Sequence, residues 1–131
     1  MKSALFEQAV HRITERRPSV HRDAYFFLKE ALDLALAEQQ KNPTQNSHVT
    51  AAQLAEAFAT LALDSYGPMA LTVLNEWGLY KTQDIGTMVF DLIDEKMFGR
   101  QKSDSHNDFE KVYLFSDKFE KPYLPHGIEE E

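Results

Sequence analysis

The chain has no cysteine, which excludes disulfides, thiol nucleophiles and cysteine-bound zinc, and agrees with a reducing compartment. The short motifs of common chemistries are missing too: there is no GxGxxG, GxxxxGK[ST], HExxH or GxSxG run, and no EF-hand loop. Long apolar runs are also absent. The richest stretch, residues 51 to 63, is broken by Gln53, Glu56 and Thr60, short of the ~20 apolar residues that a bilayer span needs. Met1 to Glu7 meets charge too early for a secretory leader, and no fixed-period repeat occurs. These absences predict a cytoplasmic protein with no membrane segment and no cofactor.

Cations are scarce: 14 Lys and Arg stand against 21 Asp and Glu, a net charge of −7 over 131 residues. Three of the acids are Glu129, Glu130 and Glu131, so residues 127–131 read as a flexible acidic tail and residues 1–126 as one helical domain. With 43% hydrophobic and 27% charged residues, the balance is that of a folded globular chain.

What is present has helical period. Residues 3 to 16 form a helix with Leu5, Ala9 and Ile13 on one side, closed by Arg16-Arg17-Pro18, because a residue before proline is pushed out of the helical region. From about Ser19 to Lys41, Ala24, Leu28, Ala31, Leu32 and Ala35 make a buried stripe widened by Tyr25 and Leu36, and residues 41–47 form a polar loop. Thr50-Ala51-Ala52-Gln53 is a capping box opening a third helix with Leu54, Phe58, Leu61 and Ala62 inward. It stops at Tyr66-Gly67-Pro68, where glycine suits the cap and proline the first turn of the next helix. The fourth helix carries Met69, Val73, Leu74 and Trp77 and ends at Gly78. Thr82 caps a fifth, with Ile85, Val89, Leu92 and Ile93 inward until Gly99. Residues 109–115 fit helix or strand equally. The fold expected is all-α, about five helices around one core with an irregular, aromatic-rich C-terminal arm.

Five histidines, at 11, 21, 48, 106 and 126, have no spacing that makes a metal site alone. His48, His106 and Asp108 could converge only through the fold. Asp91, Asp94 and Glu95 are neighbours on the fifth helix, and a row of acids on such a helix reads by default as its solvated face. The same default covers Arg12, Arg16, Arg17 and Arg22 around Pro18. No catalytic, cofactor-binding or metal residue is therefore assigned, and an enzyme built on either cluster is the least favoured reading.

Trp77 to Gly86 has a helix-turn-helix outline, but residues 42 to 98 hold only Lys81 and Lys96 against seven acids. Phosphate contacts need cations, so nucleic-acid binding is kept as the alternative, with Lys81, Arg16 and Arg17 as its test positions. Trp77 is expected to fill core volume. Gly86, which costs about 1 kcal/mol against alanine in a helix, is expected to mark a close helix crossing.

The run Gly67-Pro68-Met69-Ala70-Leu71-Thr72-Val73-Leu74-Asn75-Glu76-Trp77-Gly78-Leu79, followed by Thr82-x-Asp84-Ile85-Gly86-x-Met88-Val89-Phe90, resembles a Minf-type family of uncharacterised bacterial proteins. Ala24-Tyr25-Phe26-Phe27, Glu30-Ala31-Leu32, His48-Val49-Thr50 and Asp108-Phe109-x-x-Val112-Tyr113 agree on the flanks, so the resemblance spans about residues 20–119. It implies no activity, cofactor or catalytic residue. Phe98, Phe109, Tyr113, Phe115, Phe119 and Tyr123 crowd the last third. They either cover the core or offer a surface to a protein partner or a second copy, and the expected role is a protein-interaction module.

Overall fold

The computed structural model describes residues 2–40, 49–98 and 106–123. It is all-α, with no strand among the described residues. Five helices follow one another: α1 (Lys2–Arg16), α2 (Arg22–Gln40), α3 (Ala51–Tyr66), α4 (Ala70–Glu76) and α5 (Thr82–Asp94). A 3-10 turn (His106–Phe109), a π-helical turn (Ser116–Glu120) and a second 3-10 turn (Lys121–Tyr123) make the C-terminal arm. Residues 109–115 are thus neither a regular helix nor a strand. The 41–47 loop and the 127–131 tail lie outside the described residues.

α3 and α2 form the central pair, and α5 is covered by the His106–Phe109 turn. Helix α3 opens with the expected capping box: Thr50 Oγ1 accepts from Gln53 N at 3.1 Å, and Gln53 Oε1 accepts from Thr50 N at 2.9 Å. Its inward residues Leu54, Phe58, Leu61 and Ala62 are all buried. α1 turns differently from the expectation. Leu5 is exposed, and the buried stripe is Phe6, Ala9, Val10 and Ile13, an i, i+3, i+4, i+7 pattern that faces α2 and α5. Leu36 and Met69, also expected inward, are exposed. Trp77 is only partly buried, packing its ring 5.3 Å from Phe27 and 6.0 Å from Tyr66.

The run Ala51–Glu76 reaches a mean hydropathy of 1.2, long and apolar enough to meet the minimum for a membrane-crossing helix. This corrects the expectation that no stretch comes near that limit. Alanines raise the average, while the backbone breaks at Gly67 and the leucine and phenylalanine face of α3 is buried, as in a helix of a protein core.

Two helix ends explain the corners. At α4, Gly78 N donates to Asn75 O and Leu79 N to Leu74 O, with Gly78 at φ 92°, a Schellman cap whose following Leu79 is fully buried. Gly78 is required twice over, because a Cβ there would collide with the Ser19 carbonyl oxygen. Beside it, His21 N donates to Trp77 O at 2.9 Å, so the α1–α2 turn rests on the α4–α5 turn. α5 ends at Asp94, five residues before the expected Gly99. The same cap is built there with Lys96 at φ 62°: Lys96 N donates to Ile93 O and Met97 N to Leu92 O. A lysine in the left-handed position is invisible to a search for glycine stops.

Candidate functional site

The arginines around Pro18 and the acids of α5, expected as two separate solvated faces, meet each other. Arg12 and Arg16 are one turn apart on α1, and Glu95, just past the end of α5, lies within reach of both, one turn beyond Asp91. Arg12 Nε donates to Glu95 Oε1 and Arg16 Nη1 to Glu95 Oε2, both at 2.8 Å. Arg17, just past α1, grips Asp91 with two donors, Nε to Oδ2 at 2.7 Å and Nη2 to Oδ1 at 3.2 Å, the fork geometry that guanidinium and carboxylate share. From α2, the Tyr25 hydroxyl donates to Asp91 Oδ2 at 3.0 Å. Asp91 is 4% exposed and Tyr25 fully buried, which corrects the reading of Asp91 as a wet-face acid. Asp94 alone of the three acids stays exposed. Arg22 remains at the surface, with Nε 4.0 Å from Asp23 Oδ1.

Glu95, Tyr25 and Arg17 are shifted by their surroundings. The Arg16 and Arg12 guanidiniums hold the Glu95 carboxyl below the usual carboxylate range. Burial, and then the charge of Asp91, push the Tyr25 hydroxyl above the ordinary tyrosine value, and the hydrogen bond to Asp91 raises Arg17 further. A general acid or base works best with a pKa near the operating pH. Glu95 and Tyr25 move away from neutrality in opposite directions, and the pairs of the cluster tie α1, the α1–α2 turn and α2 to the end of α5.

His11 and His21 each have a local partner. His11 Nε2 is 3.1 Å from Glu15 Oε2 on the exposed side of α1. His21 caps α2, its Nδ1 accepting from Asp23 N at 3.0 Å. His106 opens the first 3-10 turn, with Asp108 exposed within it, while His48 and His126 lie outside the described residues. Among the described residues no group of three or more metal-ligating side chains gathers. A groove of about 230 Å³ runs between α1 and α2, its floor Val10 and Phe26 and its rim Glu7, His11, Arg22 and Asp23.

A second polar node ties down the C-terminal arm. Thr82 is expected to cap α5, but it is the first helical residue, 1% exposed. Capping falls to Asp84, whose Oδ2 accepts from Tyr80 N at 2.7 Å and Lys81 N at 3.1 Å. The freed Thr82 hydroxyl donates to Phe109 O at 2.6 Å and accepts from Val112 N at 3.2 Å. One turn on, a Cβ at Gly86 would stand 2.9 Å from Cβ, Cγ and Cδ2 of Phe109. The close approach expected at Gly86 exists, made by an aromatic side chain of the arm instead of a crossing helix. Tyr113 completes the anchoring, its hydroxyl donating to Ala55 O at 2.7 Å.

The arm's aromatics divide by burial. Phe109, Phe115 and Phe119 are in the core, Phe98 and Tyr113 are partly buried, and Tyr123 is exposed. The helix-turn-helix outline is present as α4, a turn and α5, but Thr82, Ile85, Gly86, Met88, Val89, Asp91 and Leu92 of α5 are buried, and Lys81 is the sole cation from residue 70 to 95. No family model, curated protein or solved structure matches the chain.

Proposed function

We propose that this chain is a small cytoplasmic protein-interaction module that associates with a second copy of itself. The supporting observation is the pair of exposed apolar side chains beside the Thr82 node, Tyr80 at 62% and Leu114 at 59% exposure. Tyr80 lies two residues before Thr82, and Leu114 two after Val112, whose amide is bonded to that threonine. Each is thus two residues from the Thr82 node. Met69 and Tyr123, also exposed, flank α4 and the Ser116–Glu120 turn, which pack on each other. Large exposed apolar side chains are what a protein contact uses. This surface differs from the one first expected, because Phe109, Phe115 and Phe119 are committed to the core. Light scattering over a concentration series tests the reading. A mass rising toward the dimer, returned to the monomer by Tyr80→Glu with Leu114→Glu, supports it; a chain that stays monomeric throughout overturns it.

A further inference from the structure

Helix α1 is seated unlike the other helices. Its principal neighbours are α2 and α5, and its interface combines a continuous apolar stripe with ion pairs added beside its C-terminal end. The stripe Phe6, Ala9, Val10 and Ile13 is buried along the whole helix, and at its N-terminal end Phe6 packs against Phe26 at 5.2 Å between ring centroids. Along the α2 side that contact is incomplete, since the groove floored by Val10 and Phe26 opens there. Toward the C-terminus ion pairs flank Ile13, from Arg12 and Arg16 to Glu95 at the end of α5 and from Arg17 of the α1–α2 turn to Asp91.

We propose that α1 is a detachable arm, with the Arg12, Arg16, Arg17, Asp91 and Glu95 cluster as its release point. The groups facing the two carboxylates are Arg12 and Arg16 of α1, Arg17 of the α1–α2 turn and Tyr25 of α2. Arg12 and Arg16 are about half exposed, whereas Glu95 is nearly covered, so salt reaches the arginine side of the cluster first. Detachment lifts Phe6, Val10 and Ile13 away from α2 and α5 and opens an apolar face. The His21 to Trp77 bond and the close seat of Ser19 over Gly78 hold the base of the arm in place, so the opening is hinged at the Pro18 turn and leaves α2 to α5 folded. This device is independent of the Tyr80 and Leu114 surface.

Amide hydrogen exchange on the full chain at one fixed pH tests it. In the parent, α1 amides exchange faster than those in the middle of α3 and α5, and the gap widens as salt is raised. Glu95→Gln keeps the side chain's shape and removes its charge. It accelerates exchange in α1 by about fivefold, the factor that corresponds to a partly exposed ion-pair network, and changes α3 and α5 by less than twofold. Arg12→Gln gives the same pattern. The proposal is overturned if Glu95→Gln speeds exchange equally in all helices, which means that α1 opens only when the whole molecule unfolds, or leaves α1 unchanged, which means that Glu95 does not hold it.

Discussion

Gly86 and Thr82 make the same contact from two sides, and both are read best through Phe109. Alanine at Gly86 gains helix propensity of about 1 kcal/mol but places its methyl 2.9 Å from the root of a ring that is itself buried. Phe109 has little room to yield, since its carbonyl is held by Thr82. Overpacking of about 1–3 kcal/mol exceeds the gain, so Gly86→Ala is expected to be net destabilising. Thr82→Val preserves shape but leaves the Phe109 carbonyl and the Val112 amide without their partner, at about 1–3 kcal/mol. Denaturant unfolding checks both. A Gly86→Ala variant at least as stable as the parent would contradict the close contact with Phe109.

At the scale of elements, the α1–α5 junction separates two kinds of ion pair. Arg17→Ala strands Asp91, buried and left with Tyr25 as its remaining partner of the cluster; because Arg17 itself is partly exposed, the loss falls between that of an exposed pair, under about 1 kcal/mol, and that of a fully buried one, about 3–5 kcal/mol. Arg12→Ala removes a half-exposed side chain from Glu95, which keeps Arg16; an exposed pair is worth under about 1 kcal/mol. Equal losses for the two variants, measured by denaturant unfolding, would show that Asp91 is not the buried charge described. The junction was legible in part. Runs of opposite sign on two amphipathic helices are a signal, and each run was visible by itself. Tyr25 gave no such sign, because its hydrogen bond follows from the rotation of α2 and not from any spacing in the chain.

For the whole molecule, the shifted groups set a stability profile against pH. Glu95 has a folded pKa below its unfolded value, so its contribution is present above the unfolded value of about 4.3 and is lost as pH falls through the folded one. Tyr25 and Tyr113 have folded values above the unfolded value of about 10, for both chiefly because burial penalises the phenolate. Their contribution is present below pH ~10 and is lost as pH rises above it. A plateau from about pH 5 to pH 10, falling on both sides, is the expected result of denaturant unfolding across pH. Tyr25→Phe should soften the alkaline fall, and an unchanged alkaline limb would remove Tyr25 from this account.

Local chemistry reached as far as the helices and their starts and stops. The capping box at Thr50, the break at Gly67-Pro68 and the glycine cap at Gly78 are each written in neighbouring residues, because those interactions close within a turn of the chain. Periodicity placed most of the core on α2, α3 and α5 for the same reason, and erred on α1, where Leu5 and Phe6 fit a stripe equally well until a neighbour selects one. The tertiary structure alone decided which partners meet across the chain. Asp91 lies 74 residues from Arg17 and Thr82 lies 27 from Phe109, and no local rule links them. Burial turned an apparent surface acid into the centre of a buried pair and an apparent cap into an anchor, since the value of a polar group depends on the water it loses and the partner it gains.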